Sequence, residues 1–78
     1  MLIVESNHWK FKKQFRKDIE NYMIEYAIMK CGEFSRDSVH ENALNAISRI
    51  PETGKTLKVV FRWIGKDKIK LITAYYLD

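Results

Sequence analysis

Leu57-Lys58-Val59-Val60-Phe61-Arg62-Trp63-Ile64, then Gly65-Lys66-Asp67, then Lys68-Ile69-Lys70-Leu71-Ile72-Thr73-Ala74-Tyr75-Tyr76-Leu77 is the stretch that decides the fold. Apolar and polar side chains alternate, and β-branched and aromatic residues crowd both runs. The short Gly65-Lys66-Asp67 link makes the two runs an antiparallel hairpin. Strict alternation places Leu57, Val59, Phe61 and Trp63 on one face, with Ile69, Leu71, Tyr75 and Leu77 beside them. That face is expected to meet the helices. The opposite face then carries Lys58, Val60, Arg62, Lys68, Lys70, Ile72, Ala74 and Tyr76. Such a surface reads either as a solvated sheet face or as a shallow basic groove with one stacking ring.

The pattern changes upstream. Pro51 to Thr56 is the longest turn-like segment. Ser38-Val39-His40-Glu41 has the spacing of a capping box. It predicts a third helix with Ala43, Leu44, Ile47 and Ile50 inward, stopped by Pro51. Glu33 to Val39 fits a loop or a short edge strand. The clearest amphipathic helix follows Asp18 as N-cap, with Ile19, Tyr22, Met23, Tyr26 and Ala27 at helical spacing. Gly32 sits where a helix end favours positive φ. Ser6 is the expected N-cap of a first helix over Asn7 to Phe15, and Leu2-Ile3-Val4 fits a short strand. The expectation is therefore an α+β domain with two or three helices on one face of a small antiparallel sheet, ending in a C-terminal hairpin.

With 78 residues, the chain suits a single domain over 1–78. It is 46% hydrophobic and 13% aromatic, which argues against disorder. A net charge of +4 favours a polyanion as partner: RNA, DNA or an acidic protein. The single cysteine, Cys31, excludes an internal disulfide and points to a reducing, cytoplasmic setting. Met1 to Val4 is too short for a signal-peptide core, and no apolar run approaches the ~20 residues of a membrane span. No membrane partner is expected.

Cofactor motifs are lacking. Thr53-Gly54-Lys55-Thr56 resembles the end of a P-loop, but Arg49 stands where the first glycine of that motif belongs. Nucleotide binding is not expected. His8, Cys31 and His40 have no metal-ligand spacing, so neither a metal nor another cofactor is expected. Cys31 reads as a small buried hydrophobe.

His8 is more informative. It stands beside Trp9, Lys10, Lys12 and Lys13, with Arg16 further along. Cleavage of RNA to a 2′,3′-cyclic phosphate needs a base for the 2′-hydroxyl, a cation for the phosphorane and a proton donor for the leaving oxygen. Histidine, arginine or lysine, and a hydroxyl can fill these roles without a metal. The basic run Lys10, Lys12, Lys13, Arg16 and Lys17, interleaved with Trp9, Phe11 and Phe15, suits phosphate contact. A solvated helix face over core aromatics has the same pattern, and His8 can equally be a plain surface residue.

Asn7-His8, Leu57 to Arg62, and Leu71-Ile72-Thr73-Ala74-Tyr75-Tyr76 together resemble short members of the RelE–barnase–EndoU–colicin superfamily of toxin ribonucleases. Those begin with a histidine just before the first helix and end in a strand reading hydrophobic-hydrophobic-Thr-small-aromatic. The resemblance implies metal-independent RNA cleavage, with His8, Arg62, Thr73 and Tyr76 as catalytic candidates. The basic residues Lys10, Lys12, Lys13, Arg16, Arg49, Lys55, Lys58 and Lys70 are the expected RNA contacts beside them. The implied partners are RNA, free or ribosome-bound, and an acidic antitoxin protein. Strict alternation puts Thr73 on the core face and Tyr76 on the basic face, so one groove holding both requires a bulge. Two alternatives are a non-catalytic RNA-binding module and a protein-interaction module with an acidic partner.

Overall fold

The computed structural model describes residues 1–78. In chain order it has β1 (Leu2–Glu5), α1 (Asn7–Lys12) with a 3-10 turn (Lys13–Phe15), α2 (Asn21–Lys30), β2 (Ser35–Arg36), β3 (Leu44–Ile50), β4 (Lys55–Gly65) and β5 (Lys68–Tyr76). The five strands make one sheet in the order β1-β5-β4-β3-β2. The architecture is α+β, and the expected hairpin is its centre. Gly65 pairs with Lys68 across a tight link in which Asp67 takes a left-handed φ of 55°.

The sheet is mixed rather than purely antiparallel. β1 runs parallel to β5, from Leu2 opposite Lys68 to Glu5 opposite Leu71. The whole α1-to-β4 segment serves as the crossover that a parallel pair requires. Beyond Leu71, β5 has no strand on that side. Two carbonyls of this segment are taken by side chains instead: Ser6 Oγ donates to Ile72 O at 3.0 Å, and Arg16 Nη1 donates to Ala74 O at 3.1 Å. Ser6 is also the predicted N-cap, its Oγ accepting from Trp9 N at 3.1 Å. Such a cap contributes about 1 kcal/mol.

The core joins Trp9 of α1 and Ile24, Ala27 and Ile28 of α2 to Ala46, Ile50, Leu57, Val59, Phe61, Ile69, Leu71 and Ala74 of the sheet. Trp9, Ile24 and Phe61 are among its largest fully buried side chains. Burying one such group contributes about 1.5–3 kcal/mol.

Several expectations are corrected. The third helix over Ala43 to Ile50 is strand β3. Ala43, Leu44, Ile47 and Ile50 fit a helical stripe, but Leu44, Ala46, Ser48 and Ile50 also alternate. The seven-residue ladder with β4, from Leu44–Phe61 to Ile50–Lys55, decides for the strand. The Ser38-to-Glu41 pattern is no capping box, because Asp37 makes the local turn. Pro51 opens a β3–β4 turn closed by Gly54, whose N–H donates to Ile50 O and whose φ is +69°. The P-loop-like residues thus form the end of this turn, Thr53 and Gly54, and the start of β4, Lys55 and Thr56. α2 begins at Asn21 and not after Asp18; Glu20 holds the cap position without a side-chain bond. Gly32 has no positive φ, since extended Cys31 ends the helix. Ile19, Met23 and Ala27 are buried as expected, but Ile24 and Ile28 replace Tyr22 and Tyr26 as their fully covered neighbours.

Two register shifts rearrange the hairpin faces. Phe61 pairs with Leu71 and Val60 with Thr73, which leaves Ile72 as an extra residue on β5. Trp63 pairs with Ile69 and Gly65 with Lys68, which leaves Ile64 extra on β4. One inserted residue exchanges the faces of everything beyond it. Ala74 and Tyr76 therefore turn to the core, while Thr73 and Tyr75 turn away. Trp63 was expected inside but is 46% exposed, edge-on against Phe34 and Phe61. No helix is long and apolar enough to cross a membrane.

Candidate functional site

The face of the sheet opposite Leu57, Val59 and Phe61 carries the chemistry. Register places Asn45, Val60 and Thr73 in one row across β3, β4 and β5, then Ile47, Lys58 and Tyr75 in the next. Arg62 stands opposite Lys70. Val60 and Ile72 form a small apolar floor with Ala43.

A histidine pair lies at one end. Asp37 Oδ2 accepts from Val39 N at 3.1 Å and from His40 N at 2.8 Å, a turn typical of aspartate. The same oxygen lies 3.0 Å from His40 Nδ1. Burial works to raise the Asp37 carboxyl, but the His40 backbone and ring bonds and the Val39 N–H outweigh it. They hold the group below the usual carboxylate range. The engaged Nδ1 leaves Nε2 as the free nitrogen of His40. The His8 ring, on α1, stands 6.1 Å away between centroids, tilted by 58°. Arg62 Nε donates to Glu41 O at 3.2 Å, which ties the arginine to the loop that carries His40. Its two terminal nitrogens remain available for an anion.

A second cluster surrounds Tyr75. Arg16 Nη1 donates to Thr73 Oγ1 at 3.1 Å as well as to Ala74 O. The Arg16 guanidinium lies 5.6 Å from the Tyr75 ring centroid, and Lys58 Nζ also lies at 5.6 Å. Ion pairs engage only the chain amine with Glu25 and Asp67, Lys13 with Glu5, and His40 with Asp37. Arg16, Lys58, Arg62 and Lys70 have no carboxylate within reach, so their positive field is uncompensated. Asn45 is 8% exposed, and its Oδ1 is buried with no hydrogen-bond partner. An orphaned acceptor of this kind costs about 1–3 kcal/mol.

The structure thus gathers His8, Arg62, Thr73, Arg16, Lys58 and Lys70 on or beside this face. It does not gather Tyr76. That phenol lies on the core side, 3.4 Å from Asp18 O and 3.5 Å from Met23 Sδ, and burial raises its pKa. Lys55 follows it there, with Nζ 5.3 Å from the Tyr76 ring. Arg49 lies at the far end of β3 beside the Gly54 turn. Lys10 and Lys13 line a groove along β1 with Val4, Trp9 and Glu20. Lys12 belongs to the last turn of α1. Sequence reasoning misses four residues: Asp37, His40, Asn45 and Tyr75. The Asp37-to-His40 spacing is an aspartate-turn signal, and reading Ser38 as a helix cap masks it.

Comparison of the chain with protein-family models, with curated proteins and with solved structures found no match.

Proposed function

We propose that this chain is a small RNA-directed endoribonuclease of the toxin type, working without a metal ion. The observation that carries the reading is the pairing of His8 with His40, whose outer nitrogen is presented by the Asp37 turn. Two imidazoles supply both proton transfers of RNA transesterification. One takes the 2′-hydroxyl proton as O2′ forms its bond to phosphorus. The other gives a proton to O5′ as the P–O5′ bond breaks, leaving a 2′,3′-cyclic phosphate and a 5′-hydroxyl. Arg62 supports the charge of the phosphorane, and Arg16, Lys58 and Lys70 hold neighbouring phosphates. Thr73 orients Arg16, and Tyr75 replaces Tyr76 as the aromatic of the groove.

The reading takes α1 and α2 to cover one face of the sheet and to leave the other for substrate. Their shared core cluster supports this. It keeps the resemblance to the RelE–barnase–EndoU–colicin superfamily, a cytoplasmic setting, and RNA, free or ribosome-bound, with an acidic antitoxin as partners. A second reading is a non-catalytic module for an acidic protein. The adjacent half-exposed Trp63 and Ile64 favour it.

Incubation with cellular RNA in EDTA, followed by analysis of the new ends, tests the proposal. Cyclic phosphate ends, lost in His8→Ala and His40→Ala, are expected. Absence of cleavage on every RNA tried, ribosome-bound message included, would overturn it.

A further inference from the structure

Phe11 and Phe15 are the two aromatics the core leaves out most completely. They are 57% and 71% exposed, and their rings touch edge to face at 5.5 Å between centroids. Residues three and four apart on a helix are neighbours. Phe11 therefore lies one turn beyond His8 and Phe15 one turn beyond Phe11, which makes a ridge leading away from the histidine pair. Trp9 fixes this orientation by anchoring the opposite side of α1 in the core.

The charge around the ridge is one-sided. From Ser6 to Lys17 the chain has five cations, Lys10, Lys12, Lys13, Arg16 and Lys17, and no acid. Only Lys13 has a carboxylate partner, Glu5. Bare rings among unpaired cations match a strand of unpaired nucleotides, whose bases stack on aromatics while the phosphates meet the lysines. An acidic protein would satisfy the charges, but has no particular need of flat rings.

We infer that Phe11 and Phe15 form a stacking platform for two consecutive unpaired nucleotides on one side of the cleavage point. This rests on the ribonuclease reading and narrows its substrate to single-stranded RNA. Base-paired RNA keeps its bases stacked on each other and cannot use the ridge.

The test uses an octanucleotide carrying 2′-O-methyl groups, which cannot be cleaved, with binding followed by fluorescence anisotropy. The Phe11→Ala/Phe15→Ala variant is expected to bind it roughly tenfold or more weakly, with its melting temperature unchanged. Phe11→Leu/Phe15→Leu, which keeps the apolar surface and loses the rings, is expected to bind as weakly as the alanine pair. Met29→Ala, another exposed apolar site, serves as control. Binding by the alanine variant equal to wild type overturns the platform, even if the wild type cleaves RNA. Full binding by the leucine variant overturns it too, and points to apolar docking of a protein. Phe-dependent binding without any cleavage of natural RNA keeps the platform and removes the catalytic reading. A wild type that ignores the octanucleotide but adsorbs to phosphatidylserine vesicles through these rings overturns it in favour of a membrane surface.

Discussion

His40 Nδ1 lies 3.0 Å from Asp37 Oδ2, so a residue three positions back in the chain sets the direction in which the imidazole faces. The ring of His8 comes from a helix more than thirty residues earlier and ends 6.1 Å from that of His40. Two short local devices, a capped helix and an aspartate turn, thus bring two imidazoles side by side.

Removing either imidazole is expected to lower RNA cleavage by ~10²–10⁴, while the fold stays intact because His8 is exposed and His40 half-buried. Arg62→Ala should do likewise, and growth inhibition by the expressed protein should vanish with each. Rate measurements in EDTA alongside circular dichroism check this. Full activity in all three variants would move the chemistry elsewhere.

The bulge at Ile72 makes opposite predictions for adjacent tyrosines. Tyr75→Ala should weaken RNA binding and leave stability nearly unchanged. Tyr76→Ala should cost about 2–4 kcal/mol of stability, as large-to-small changes against a core do, with less effect on affinity. Urea unfolding and RNA titration of both variants separate the two. If Tyr76 proves to be the binding residue, β5 does not bulge at Ile72.

RNA affinity should fall steeply with salt. Each lost phosphate contact lowers the slope of log K against log salt by about 0.7 on a single strand. Lys58→Ala/Arg62→Ala should therefore flatten it by about 1.4. Lys66→Ala/Lys68→Ala, at the hairpin turn, should change it less. Equal slopes would mean that charge is spread over the molecule and not concentrated on this face.

The Asp37 turn has a defined acid sensitivity. Its carboxyl titrates below the ordinary value in the folded chain. It therefore stabilises the 37–43 loop above its unfolded pKa, and that contribution disappears as pH falls through the lower folded value. Amide protection of Val39 and His40 should decline at acid pH in the wild type. In Asp37→Asn this step should be missing. An identical acid profile in the two proteins would exclude the carboxylate as the source.

Local chemistry makes much of the fold legible in the sequence: the Ser6 cap, the buried Ile19 with Met23 and Ala27 of α2, and the hairpin from Leu57 to Tyr76. Strand β3 is not legible in this way. Ala43, Leu44, Ile47 and Ile50 fit a 3.6-residue period while Leu44, Ala46, Ser48 and Ile50 fit a 2-residue one, and only pairing with β4 separates the two readings. The face of Thr73 and Tyr75 is hidden for a related reason. A single extra residue leaves no mark in composition, yet it exchanges two tyrosines between core and groove. His40 gains meaning only when the fold brings α1 to it.

β1 has one neighbour in the sheet, and that neighbour is β5. On the ribosome, the strand at Leu2–Glu5 emerges long before the strand at Lys68–Tyr76 exists to receive it. Ser6 and Arg16 wait likewise, because the carbonyls they bind belong to Ile72 and Ala74. The nascent chain can wind its helices early, but it cannot seat α1 against the sheet until β5 has been made. The face that carries Thr73 and Tyr75 is therefore assembled last of all, whichever partner it meets.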